Sequence, residues 1–445
     1  MADTKQAAGP AAAPAQPDVR TQLRSAAYRR LLILAAIIGA PISAAAYGFL
    51  QLTNRMQGWI FADAPKELGY SSTPTWWPLP VLLLAGILVG LTVRYLPGPG
   101  GVVHIDGFEA GGTPRPIDLP GILLAALATL GLGAVLGPEA PLIALGGGLA
   151  VCAVKLARKD TPDRALAVVA AAGSFAAISA LLGSPLLGAF LLMEASGLGG
   201  ATMSLVLVPG LLAAGIGTLI FIGLDSLTGL GVASLALPDL PNFTRPTVAE
   251  FGWALVVGLL APLVGVAIRW VGHTVRPQVT PRPVLLTPVA GLVVAGLCIA
   301  YTTSTDKPYS DVLFSGENDL GPLLQRSADY SVLVLLMLLL CKGLAYGVSL
   351  GSFRGGPIFP AMFLGAAGGV AMSHLPGLTL VPAVAMGIGA LCVVMLRLPL
   401  TSVLLATLLL FSDGVAVTPL VIVAVVVAHV VTASLEPKPA RESPT

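Results

Sequence analysis

An all-α, polytopic membrane fold, built from tilted and partly broken helices in two related halves, is what this sequence predicts. Three observations carry that expectation. The chain of 445 residues is 56% hydrophobic and only 10% charged, whereas a soluble domain is about 25% charged. Its apolar stretches are many, but several fall well short of the roughly 20 residues that a straight span needs, and they end at Gly or Pro. Finally, the phrase "LLGSPLLGAFLLME" (181–194) has a counterpart in "MLRLPLTSVLLATL" (395–408). A weak internal repeat of this kind is what a two-fold transporter architecture leaves behind. Chance among Leu/Pro-rich segments is the alternative.

Residues 1–19, "MADTKQAAGPAAAPAQPDV", are Ala/Pro-rich and too polar for the core of a signal peptide; they read as a disordered tail, as do 436–445. "RTQLRSAAYRR" (20–30) puts four arginines before the first span and predicts a cytoplasmic N-terminus. Apolar segments follow at 31–50, 79–96, 119–136, 142–157, 165–183, 185–193 and 203–223. The polar stretch "ALPDLPNFTRPTVAEF" (236–251) then divides the chain. The second half continues with segments at 249–268, 284–301, 331–346, 358–374, 381–396, 399–411 and 416–434. The halves are expected at about 31–235 and 249–435, within one transmembrane domain spanning 20–435. Trp76 and Trp77 suit a membrane interface. The net charge of +2 comes with no basic block, which argues against nucleic acid. Cys152, Cys298, Cys341 and Cys392 lie in apolar stretches and show no metal spacing. His104, His273, His374 and His429 are scattered. No phosphate-binding loop, zinc motif or nucleophile elbow is present, so neither an enzyme nor an ATP-driven pump is expected, and no cofactor.

Three Gly/Pro-rich phrases lie between apolar segments: "LPGPGGVVHIDGFEAGG" (96–112), "LGPEAPLIALGGG" (136–148) and "SLGSFRGGPIFPAMFLGAAGG" (349–369). The second and third open directly into an apolar helix. A helix start presents unpaired N–H groups and about half a unit of positive charge, so a broken helix ending within the membrane can hold an anion without a full cation. Ordinary surface loops are the plainer reading. Glu139 is the exception to that plainness. An intramembrane acid is a functional candidate by default.

These phrases resemble the signatures of the CLC family of voltage-gated chloride channels and proton/chloride antiporters, in the manner of a divergent prokaryotic-type member. The family's G-[KR]-E-G-P frame, with a G-G four residues on, is similar to Gly137-Pro138-Glu139-Ala140-Pro141 with Gly146-Gly147. Its G-x-F-x-P resembles "GGPIFP", where Phe359 stands directly before Pro360. Its G-S-G-I-P is the weakest match. "PGGVVHIDG" aligns through Gly101 and Val102, and the anion-facing serine falls on Gly100. The resemblance implies transport of chloride or a similar anion across a lipid bilayer, by a homodimer with one pore per subunit, as a channel or with protons as an antiporter. It implies that Glu139 gates the pore. The anion would be held by the backbone N–H groups of Gly100, Gly101 and Val102 and of Ile358 and Phe359. Glu194 is the proton-transfer candidate, one position before the usual site, which falls on Ala195; either it substitutes from there or the proton path is broken and Glu194 is an acid at a helix end on the membrane–water boundary. The family's pore tyrosine has no match after Tyr346. Without that hydroxyl and the serine, a site of backbone amides and apolar surface is expected, one that either favours weakly hydrated anions or is wider and less selective. Lys342 either supports an electropositive pathway, or snorkels or has a structural partner, and Arg354 either draws anions to the pore mouth or is a solvated loop charge. A cation or neutral-solute transporter built on broken helices is the competing class, but it predicts clustered midplane acids rather than Glu139 and Glu194 alone.

Overall fold

The computed structural model describes residues 23–158, 160–196, 200–231, 241, 243–409 and 414–435; the expected terminal tails lie outside them. The first half comprises α1 (Ala26–Gly58), α2 (Pro78–Tyr95), α3 (Leu119–Gly131), α4 (Glu139–Ala157), α5 (Asp163–Leu181), α6 (Pro185–Ala195) and α7 (Gly200–Thr228). The second half comprises α8 (Val248–Val279), α9 (Pro283–Thr305), α10 (Val332–Ser352), α11 (Ile358–Ser373), α12 (Leu380–Leu396), α13 (Pro399–Leu409) and α14 (Gly414–Leu435). Among the described residues, eight helices are long and apolar enough to cross a membrane, and α3, α5, α6, α11, α12 and α13 hold shorter apolar segments. The chain is a multi-pass integral membrane protein.

The halves pack alike. In the first, α4 lies on α5, α5 on α7, α1 on both α5 and α7, and α6 on α7. Seven helices on, α11 lies on α12, α12 on α14, α8 on both α12 and α14, and α13 on α14. Two pairs, α2 with α9 and α6 with α13, join each helix to its own counterpart. The repeated sequence phrase is the start of such a pair, since Pro185 opens α6 and Pro399 opens α13. Proline suits that first position because its missing N–H has no helical partner there.

Two close helix crossings are duplicated as well. Gly146 meets Gly173 backbone to backbone, and Gly365 meets Gly387 in the same way. Each first glycine stands seven residues into its helix (α4 or α11), and each second one twelve before Pro185 or Pro399. In a bilayer no hydrophobic force presses helices together, so close backbone approach at small residues supplies the contact. A side chain at any of these four positions would drive the helices apart.

Short helices leave backbone groups unpaired within the membrane, and each must find a partner inside the protein. Ser349 Oγ accepts from Val135 N–H at 3.2 Å and Thr129 Oγ1 from Arg354 N–H at 3.2 Å. The first ties the break before α4 to the last turn of α10, and the second ties the break before α11 to the end of α3. Lys342 proves to have a structural partner rather than to snorkel. It is fully buried, and its ammonium donates to the carbonyls of Asp311, Val312, Leu313 and Phe314 at 2.9–3.4 Å, 4.3 Å from the Phe363 ring centroid. Asp311 in turn accepts from the hydroxyls of Tyr301 and Tyr330 at 2.8 and 3.0 Å. The strap 311–319 is thereby pinned over the start of α11.

Candidate functional site

The starts of α4 and α11 face each other. Gly137 N–H donates to Gly356 O at 2.8 Å and Gly356 N–H to Gly137 O at 2.6 Å, an antiparallel bridge isolated among helices. Pro138 and Pro357 follow in helical conformation and cap the two helices. Neither has an N–H, so the free donors begin at Glu139 and Ile358.

Glu139, the first residue of α4, is completely buried. Its carboxylate crosses to the opposite helix, where Oε1 accepts from Phe359 N–H at 2.8 Å. The N–H groups of Ile358 and of Glu139 itself lie close enough to act on its charge. Oε2 has no partner among the described residues. A carboxylate therefore occupies two converging helix N-termini, where a free anion would be stabilised by the same donors. Gly137 and Gly356 leave the room it needs, because a Cβ on either would overlap its oxygens.

Two spaces reach the residues that flank Glu139. A cavity of about 1110 Å³ reaches Ala140, Pro141 and Gly355 from one side. On the other side, a pocket of about 40 Å³ includes Pro138 and Glu317, together with Thr53 and Gln57 near the far end of α1. Because α1 begins beside Arg24, Arg29 and Arg30, the small pocket lies on the face away from these basic residues. The large cavity lies towards them, between the end of α2 and the loop 98–114.

Gly100, Gly101 and Val102 line this large cavity and do not touch the buried carboxylate. Gly100 and Gly101 have φ of +74° and +109°, a turn that suits glycine. Gly100 packs on Val93, Ala125 and the stem of Arg354. Ile358 and Phe359 lie with Glu139 instead, 0% and 1% exposed. Of the five candidate anion donors, the structure thus gathers two at the glutamate and leaves three one step inward. Glu194 is engaged at the start of α13, where its carboxylate accepts from the N–H groups of Leu400 and Thr401 at 2.9 and 2.8 Å and from the Thr401 hydroxyl at 2.7 Å. That is a helix cap joining α6 to its counterpart.

Three residues near Glu139 carry no signal of their place in the sequence. Tyr346 is fully buried and its hydroxyl donates to Pro357 O at 2.8 Å. Tyr346, the buried Cys392 and Glu317 all lie near enough to Glu139 to feel its charge. Burial and that neighbouring charge push the Glu317 carboxyl up to about 8. No local motif marks Glu317; Lys342 and the aromatic anchors of its strap are the only signal.

The family described as voltage gated chloride channel matches residues 86–433. A putative ion-transport protein, YfeO, of Escherichia coli O1:K1 / APEC is 28% identical over 372 residues, 81% of this chain and 82% of that one. Among solved structures, a slow cyanobacterial Cl⁻/H⁺ antiporter is 22% identical with TM-score 0.72, over 92% of this chain and 96% of the other. A CLC-type fluoride/proton antiporter is 17% identical with TM-score 0.67, over 91% and 96%. The duplicated helix packing, the two facing helix ends and this match over most of the chain lead to one conclusion: the protein belongs to the voltage-gated chloride channel (CLC) family.

Proposed function

We propose that this protein moves chloride or a chloride-like anion across the membrane, and that Glu139 is its gate. The observation that carries the reading is the Glu139 carboxylate on the Phe359 N–H, buried between the two spaces that approach it from opposite faces. While ionised, the side chain competes with the permeant anion for the same helix ends. Once protonated it loses its hold on them, turns away, and leaves donors of unchanged geometry for the anion. Gate opening is thus linked to proton binding. Glu317, on the outer side of Glu139, is placed to raise the proton occupancy of that side.

The test is reconstitution into liposomes with an anion gradient, recording anion and proton movement together for wild type and Glu139→Gln. The neutral amide should conduct at all pH values with no acid activation. An unchanged flux and pH response would remove Glu139 from this role.

Stoichiometric exchange of anion for proton is the second reading. Glu317 beside the gate favours it, as do the antiporter activities named for the two structural neighbours. Glu194, spent on the α13 cap, favours loosely coupled or channel-like flux instead. Uphill proton movement driven by the anion gradient would decide for exchange. The homodimer implied by the family resemblance is part of this proposal, and cross-linking in native membranes tests it.

A further inference from the structure

The large cavity ends, on its inner approach to the proposed gate, at a cation that no carboxylate among the described residues neutralises. Arg354 precedes the Gly355-Gly356 pair that bridges to Gly137. Its stem packs on Gly100, at the position where the sequence lacks a side-chain hydroxyl. Two bonds fix the head group: Nε donates to Pro99 O at 2.9 Å and Nη1 to Phe353 O at 2.9 Å. Both acceptors are neutral backbone carbonyls. A guanidinium has five N–H donors, so one on Nη1 and both on Nη2 remain for another acceptor.

The cavity wall offers no counter-ion. Its two carboxylates are Glu109 and Asp118. Asp118 is held by Arg115 through two bonds of 2.8 and 2.9 Å, and Glu109 is exposed. Among the described residues, the charge that acts on Arg354 is a second cation on the same wall, Arg276. His104 also lines the cavity, but its ring nitrogens are covered and the ring stacks on Phe108 at 4.9 Å. It leaves the cavity's charge to the arginines. Two like charges beside one cavity are unfavourable when it is empty and favourable once an anion enters.

We propose that the Arg354 guanidinium is the inner ligand of the transported small monovalent anion, taking over at the Gly100 turn the task that a hydroxyl would otherwise perform. This rests on the anion-transport reading above and assigns that pathway its inner binding group. It also replaces the expectation of a site made only of backbone amides and apolar surface. A fixed cation with a planar fork of donors holds an anion by charge as well as by direction, so weakly hydrated anions lose their advantage.

The test measures flux against chloride concentration, and chloride binding by calorimetry, for wild type, Arg354→Gln and Arg354→Lys. Arg354→Gln should raise the half-saturating chloride about tenfold, the low end of what a hydrogen bond to a charged group contributes. Flux at saturating chloride should stay within about twofold of wild type. Arg354→Lys, which keeps the charge but not the fork, should fall between them. A half-saturating chloride unchanged in Arg354→Gln overturns the proposal. So that the answer does not depend on a variant that folds, butanedione labelling of the wild-type protein with mass-spectrometric mapping serves as the second measurement. Chloride should slow modification of Arg354 in a saturable way, and no protection counts against the proposal. Wild-type protein that carries no anion at all would sink the transport reading alone, since calorimetry and labelling still report on chloride at Arg354.

Discussion

Replacing Gly356 by alanine adds a single methyl group to the wall of the gate and should hold it open. The backbone tolerates the change, because Gly356 is not among the residues with positive φ and its two bridge bonds to Gly137 use only N–H and C=O. The side-chain space does not. The new Cβ would overlap Glu139 Oε2 and come within 2.8 Å of Cδ, closer than carbon atoms pack. The carboxylate has to leave, and in leaving it gives up the 2.8 Å bond from Phe359 N–H. A hydrogen bond to a charged group contributes about 1.5–3 kcal/mol. The closed state should therefore lose roughly one to two powers of ten against the open one. In a liposome efflux assay, anion flux at neutral pH should rise towards that of Glu139→Gln, and its acid activation should flatten. Gly137→Ala, whose Cβ would also meet the Glu139 oxygens, should act in the same direction. A Gly356→Ala protein that elutes and melts like wild type but keeps slow, acid-activated flux would refute the idea that this space is what lets the carboxylate close the path.

Lys342→Met should destabilise the protein strongly, since the strap carbonyls at 311–314 lose their shared donor and each unsatisfied buried group costs about 1–3 kcal/mol; thermal melting in detergent reads it directly. Glu194→Ala should lower stability by about 0.5–2 kcal/mol, the usual effect of losing a helix N-cap, and leave anion flux intact. Loss of proton movement at unchanged stability would instead make Glu194 a relay. Glu317 should make stability depend on pH. Its folded value near 8 lies above the ordinary 4.5, so the folded state keeps a proton that the unfolded state releases. That stability is complete below about 4.5 and is lost as pH rises through about 8. Melting temperatures at pH 5 and 9 should differ less in Glu317→Gln than in wild type. An equal difference in both would reject the assignment.

The helices were legible in the sequence because hydropathy and proline placement report on the bilayer directly. The expected segments at 79–96 and 381–396 differ by one residue from α2 and α12 at their ends. The segment at 249–268 fell short of α8, which runs on to Val279 through a less apolar stretch containing Arg269, His273 and Arg276. That polar end lies beside the large cavity, where Arg276 lines the wall. Glu139 could be found because it interrupts an apolar run. Its partner on Phe359 was accessible only through the family frame, since the two are joined by tertiary structure over 220 positions. Tyr346 and Glu317 were not legible at all. Tyr346 looks like any aromatic in an apolar helix, and Glu317 like any acid in a loop, until Lys342 and Asp311 fold the strap down beside Glu139.

The Gly137–Gly356 bridge limits how this protein can cycle. It welds one half of the duplicated fold to the other at the point where a rocking mechanism would need them to part. Separating the two segments there would strip two buried N–H groups and two buried carbonyls of their partners, at several kcal/mol for each group. Turning one carboxylate breaks none of those bonds. With Glu139 as the proposed gate, the seam between the halves serves as a fixed hinge-pin and the moving part is a side chain of a few atoms, so turnover should respond to substitutions around Glu139 far more than to the stiffness of the surrounding bilayer.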